Sequence, residues 1–198
     1  LDIGKNEKHN SVIKNKTTNH MKYTNADISQ LDVKIQNLIK QNLFEKTKED
    51  GTKEYGYKKG IVFYGLTGRG KTHAMHAIRK YLSGGMRGYF SNIQTWQEIL
   101  FEMSLYYNDS RSFPNVVARL KDKNFIFIDD LGAEKETENS NVLLFMIIND
   151  AYENGKPLFI STNLNLIELN TRYGERITSR LSEMCEFYEV VGDNKRIN

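Results

Sequence analysis

The chain is 198 residues long, carries a net charge of +3 and contains one cysteine, Cys185. That length is ample for one domain with a buried core, and a lone cysteine excludes both an intrachain disulfide framework and a cysteine-rich zinc site. No apolar run approaches the roughly 18 residues of a membrane span and no signal-peptide pattern opens the chain; the composition points to a cytoplasmic protein without membrane partners, and the mildly basic balance permits nucleic-acid contact without requiring it.

Residues 1–22 are rich in Asn, Lys and Thr. They read as a flexible tail, with a partner-binding arm as the alternative; residues 23–198 form the predicted folded domain. Apolar residues at Ile28, Leu31, Ile35, Leu38, Ile39 and Leu43 fall at helical spacing and predict a helix from Ile28 to Phe44. A polar connection, Glu45 to Tyr57, leads to the β-prone run Ile61-Val62-Phe63-Tyr64.

That run feeds Gly65-Leu66-Thr67-Gly68-Arg69-Gly70-Lys71-Thr72, which fits the phosphate-loop pattern G-x-x-x-x-G-K-[ST], and a predicted helix follows to Leu82. Glycines let backbone N–H groups turn inward around phosphate oxygens, and the helix start adds unpaired N–H donors and a positive dipole end. Gly65, Thr67, Gly68, Arg69, Gly70, Lys71, Thr72 and the adjoining His73 are the candidate nucleotide contacts. Lys71 is expected to reach the β- and γ-phosphates of ATP, and the Thr72 hydroxyl to bind Mg²⁺.

Gly84-Gly85 ends this helix and Arg87 to Phe90 predicts a short strand. Ile93 to Tyr107 predicts a helix whose Trp96 either packs on the sheet or stacks on a base, and Pro114 starts another short helix through Leu120. Phe125-Ile126-Phe127-Ile128 is a continuous apolar run, as a strand covered on both faces requires. Asn141–Tyr152, Leu164–Tyr173 and Glu175–Met184 predict helices; Leu158–Ile160 and Glu186–Val191 predict strands. The alternation makes an open α/β sheet.

Asp129-Asp130 directly follows a buried strand, where ligands gather in such sheets. Asp129 is the candidate Mg²⁺ residue opposite Thr72, and Asp130 the carboxylate that orients or deprotonates an attacking water; a capped turn is the bland alternative. Asn163, after the next strand, either sits beside the γ-phosphate or caps the helix at Leu166. Arg172, Arg176, Arg180 and Arg196 gather late in the chain. A surface arginine is usually only solvated, but one delivered from a neighbouring subunit would stabilise γ-phosphoryl charge. Lys121, Lys123 and Arg111 are scattered basic candidates for nucleic-acid contact.

The order GLTGRGKT, IFIDDLGAE, STN, ERITSRL and a terminal GDNKR, preceded by Tyr23-Thr24-Asn25-Ala26, resembles the AAA+ ATPases of the DnaC/DnaI helicase-loader and IstB transposition-helper group over roughly residues 22–196. The resemblance implies a P-loop NTPase core with a five-stranded parallel sheet in the order 5-1-4-3-2, flanked by helices, with a lid domain minimal or absent. It also implies ATP and Mg²⁺ as ligands, hydrolysis of ATP, and catalytic roles for Asp130, Asn163 (sensor 1) and Arg180 (arginine finger). Arg196 would be sensor 2, and Arg176 a weaker candidate for an interface or phosphate contact. Implied partners are a replicative hexameric helicase, single-stranded DNA in a primosome, and further copies of the chain through the Arg180 surface. The first 22 residues are too short and too cysteine-poor for the helicase-binding domain that family loaders carry. An IstB-like transposition helper, or a nucleotide-gated helicase-binding protein with little turnover, shares the same site.

Overall fold

The computed structural model describes residues 23–47, 49, 53–85, 90–105 and 113–194. The expected tail over residues 1–22, together with Arg111 and Arg196, lies outside them.

The described chain enters through a short 3-10 turn, Ile28–Gln30, and helix α1, Val33–Asn42. The helix predicted from Ile28 to Phe44 is thus broken. Asp27 accepts the Ser29 N–H at 2.9 Å and Asp32 accepts the Lys34 N–H at 2.7 Å, so each aspartate starts a separate turn. The apolar spacing survives the break because both pieces pack on one cluster. Leu43 and Phe44 belong instead to strand β1, Leu43–Thr47, which pairs antiparallel with β2, Lys53–Tyr57. This hairpin replaces the polar connection expected over Glu45–Tyr57. Neither strand alternates cleanly in sequence; pairing across the turn creates them.

The main sheet holds β3 (Gly60–Tyr64), β4 (Gln94–Thr95), β5 (Ile126–Leu131), β6 (Leu158–Thr162) and β7 (Cys185–Glu189). Its order is β4-β5-β6-β3-β7 and every pairing is parallel. Numbered in chain order, these strands read 5-1-4-3-2 from the β7 edge, as the resemblance implied. Residues 87–89 of the strand expected over Arg87–Phe90 lie outside the described residues. Phe90 forms a parallel bridge with Phe125, and the described strand is Gln94–Thr95 opposite Ile128 and Asp129. Helix α3, Trp96–Leu105, therefore begins later than Ile93. Thr95 and Glu98 cap its start reciprocally, N–H to side-chain oxygen, at 2.8 and 3.1 Å.

The remaining helices are α2 (Lys71–Gly85), α4 (Phe113–Lys121), α5 (Glu138–Glu153), α6 (Leu166–Tyr173) and α7 (Glu175–Met184). They divide between the two faces of the sheet. Ile61, Phe63, Phe127 and Phe159 join Ile35 and Ile39 of α1, Tyr57, and Met75 and Ile78 of α2. Val62, Ile126, Ile128, Leu158 and Ile160 join Trp96, Leu143, Ile147, Leu169 and Leu181 on the other side. Alternate residues of each strand therefore feed opposite clusters, which is why the strands read as unbroken apolar runs. Trp96 is fully buried, so it packs on the sheet and is no base-stacking platform. No helix among the described residues is long and apolar enough to cross a membrane.

Phe127 and Phe159 stack with centroids 4.7 Å apart on adjacent strands. Phe159→Ala empties the centre of one cluster and is expected to cost about 3–5 kcal/mol, read as a lowered denaturant midpoint.

Candidate nucleotide-binding site

The loop from Gly65 to Gly70 leaves the carboxyl end of β3 and opens α2, the strand–loop–helix context that the motif requires. Gly65 and Gly68 take φ of +127° and +83°. A Cβ at Gly65 would stand 2.9 Å from the Val190 carbonyl, and one at Gly68 would collide with the Asn194 side chain. The backbone conformation therefore demands glycine at both positions, and at Gly65 the Val190 backbone also leaves no room for a Cβ.

Two neighbouring strand tips meet this loop. Lys71, only 5% exposed, donates from Nζ to the carbonyls of Gly65 and Leu66 at 2.7 and 2.9 Å and to Asn163 Oδ1 at 2.8 Å. Thr72 Oγ1 donates to Asp129 Oδ1 at 3.1 Å. The Ser161 hydroxyl donates to the same carboxylate oxygen and accepts the Asp130 N–H at 3.0 Å. Asn163 is free of the capping role that competed for it. Asn165 caps α6, accepting the Ile167 and Glu168 N–H groups at 2.9 and 3.0 Å.

A cavity of about 450 Å³ opens here. Thr67, Gly68, Gly70, Lys71, Thr72, His73, Asp130 and Asn163 line it, whereas Gly65 and Arg69 belong to the loop without facing it. Tyr23 and Gln30 also line the cavity. Tyr23 stacks on His76 at 4.4 Å and meets His73 edge-on at 6.3 Å. The sequence marked Tyr23 only as part of a motif and gave no signal for Gln30. Ser161, too, stood out only as a polar strand end.

Asp129 is 5% exposed, and burial pushes its carboxyl above the usual range, opposed by hydrogen bonds from Ser161 and Thr72. Among the described residues no basic side chain forms an ion pair with it. A hydroxyl and a buried carboxylate side by side are hard oxygen donors that fit Mg²⁺, an ion commonly held by one or two side chains together with phosphates. Asp130 has φ +50°, the sole positive value at a non-glycine among the described residues.

The late arginines separate. Arg172 turns inward and forms an ion pair with Glu134 at 3.0 Å. Arg176 and Arg180 lie over the Phe145 ring at 4.3 and 5.3 Å, and Arg180 also over Tyr152 at 5.4 Å. Arg180 is thus held against α5, outside the cavity formed by its own phosphate loop. Arg196 lies outside the described residues. Lys121 stands 3.8 Å from Asp150, a carboxylate that partly neutralises it.

The family described as the bacterial DnaA ATPase domain matches residues 48–185. The replicative helicase loader DnaC of Escherichia coli K12 is 27% identical over 121 residues, 61% of this chain and 49% of that protein. The chain spans about half the length of the curated relatives that it matches first. A crystal structure of the DnaC helicase loader superposes with a TM-score of 0.65 at 25% identity, covering 86% of this chain and 99% of that one. The replication initiator DnaA bound to AMPPCP and single-stranded DNA shares the fold, with a TM-score of 0.67 at 17% identity, over 87% of this chain and 51% of that one. The DnaC/DnaI-type AAA+ resemblance and the α/β sheet read from the sequence both hold.

Lys71→Ala removes the buried ammonium from the loop. It is expected to weaken binding of a fluorescent ATP analogue by about tenfold or more, the scale of a lost hydrogen bond to a charged group, as titration would measure.

Proposed function

The chain belongs to the bacterial DnaA ATPase-domain family, and on that footing we propose an ATP-dependent replication protein of the DnaC/DnaI helicase-loader type. It binds and hydrolyses ATP with Mg²⁺ and helps to place a hexameric replicative helicase on single-stranded DNA in the cytoplasm. The observation that carries this reading is the meeting of Lys71 and Thr72 with Asp129 and Asn163 at three adjacent strand tips. Likeness to the DnaC helicase loader supports the partner, and the DnaA structure with single-stranded DNA supports the nucleic acid.

Each residue then has a physical task. The loop N–H groups and Lys71 neutralise the β- and γ-phosphates. Thr72 and Asp129 would hold Mg²⁺, which draws charge from the γ-phosphoryl group when bound. Asp130, on the cavity wall, orients and deprotonates the water that attacks γ-phosphorus. Asn163 hydrogen-bonds to that water or to a γ-oxygen. Arg180 acts in trans, reaching the nucleotide held by a second copy, which couples assembly to turnover. That role is compatible with its position outside its own cavity. Arg196 is the further phosphate contact that the resemblance implies.

Purified protein is expected to hydrolyse ATP, faster with single-stranded DNA and the replicative helicase present; no hydrolysis under any of these conditions overturns the reading. Asp130→Asn should keep ATP affinity and slow turnover by about a hundredfold, the size of a general-base contribution. Arg180→Ala should keep the affinity of the isolated subunit but lose the stimulated component. A pull-down that recovers transposase in place of hexameric helicase would move the protein to the transposition-helper group.

A further inference from the structure

Glu134 is a carboxylate buried without a place in the chemistry above. Its side chain is 4% exposed, and burying a charge is costly unless it is paired and hydrogen-bonded. Both carboxylate oxygens of Glu134 are served. Oε2 accepts the Gly132 N–H at 2.9 Å, while Oε1 accepts the Tyr173 hydroxyl at 2.6 Å and Arg172 Nη2 at 3.0 Å. Arg172 Nη2 also donates to the Glu134 backbone carbonyl. Tyr173 and Arg172 stand at the carboxyl end of α6. A glutamate in the turn after β5 is therefore gripped by a helix distant in sequence.

The turn so gripped carries Asp130. Its left-handed backbone is uncommon for an L side chain, aspartate being among the residues that adopt it most readily. Ser161 restrains it on one side through the Asp130 N–H. On the other, the Ala133 N–H closes on the Asp130 carbonyl at 3.3 Å, and the Gly132 N–H is pinned by Glu134. Gly132 itself holds φ +93°, a backbone conformation that L side chains rarely adopt.

We propose that Glu134, held by Arg172 and Tyr173, is a positioning residue that keeps the Asp130 carboxylate on the cavity wall for hydrolysis. The inference rests on the catalytic reading of Asp130. The grip has a second consequence. α6 is joined to α7 by the Asn170–Thr178 hydrogen bond at 2.9 Å, and α7 bears Arg180. One buried ionic cluster thus ties the turn that serves a subunit's own nucleotide to the helix that faces its neighbour's.

The test is steady-state ATP hydrolysis together with nucleotide affinity for Tyr173→Phe and Glu134→Gln. Tyr173→Phe keeps the ring and loses one donor; Glu134→Gln keeps the volume and loses the charge. Both are expected to lower kcat, by three- to tenfold for Tyr173→Phe and more for Glu134→Gln, with the Kd for ATP within twofold of wild type. Ile39→Val, a core change in the opposite cluster, serves as control: its Tm falls and its kcat stays. Should both variants turn over at the wild-type rate while Asp130→Asn is slow, the positioning role is wrong and the catalytic one stands. Should Asp130→Asn itself turn over normally, both fall together.

Discussion

Parallel pairing of β3 with β6 is the constraint on which the site depends. Ile61 lies opposite Phe159 and Phe63 opposite Ser161, so both strands end at the same level and their exit loops share one rim. The Lys71–Asn163 hydrogen bond, at 2.8 Å, spans that pairing directly. On the far side of β6, β5 delivers Asp129 to within 3.1 Å of the Thr72 hydroxyl. Parallel strands can only do this if long crossovers return the chain to the same edge each time, and the helices that make those crossovers cover both faces. β3, β5 and β6 each carry a continuous apolar run, and the polar residues of β5 and β6 follow it at the carboxyl end.

Between Ile128 and Leu131 the register of β5 against β6 shifts, and Asp129 and Asp130 occupy that irregularity. Asp129 keeps its strand orientation, pointing at Thr72 and Ser161. Asp130 adopts a left-handed backbone and reaches the cavity instead of a sheet face. Two adjacent carboxylates thus acquire different surroundings: Asp129 is desolvated beside two hydroxyls, and Asp130 is half-exposed on the cavity wall.

The arginines show how identical side chains are sorted by what opposes them. Arg172 meets a buried carboxylate and becomes structural. Arg176 and Arg180 meet the Phe145 ring, whose face attracts the guanidinium without neutralising it. Arg180 Nε is buried without a hydrogen-bond partner, and its Nη1 donates to the Arg176 carbonyl. An arginine so held has a defined position, which suits the proposed contact with an anion on another molecule better than a solvated side chain would.

The phosphate loop, the aspartate pair and the parallel architecture were legible in the amino-acid order because each rests on local chemistry. Glycines at Gly65 and Gly68 answer to backbone geometry, and unbroken apolar runs such as Phe125–Ile128 answer to burial on two faces. Helix starts at Asp32, Thr95 and Asn165, and the hairpin from Leu43 to Tyr57, escaped because side-chain capping and strand pairing compete with apolar spacing over only a few residues. What only the tertiary structure decided is which distant groups meet. Asn163 turns to Lys71 because Asn165 takes the helix cap, Ser161 comes to support both aspartates, and Glu134 binds Arg172 and Tyr173. Those choices depend on strand register and helix docking, and a linear pattern carries neither.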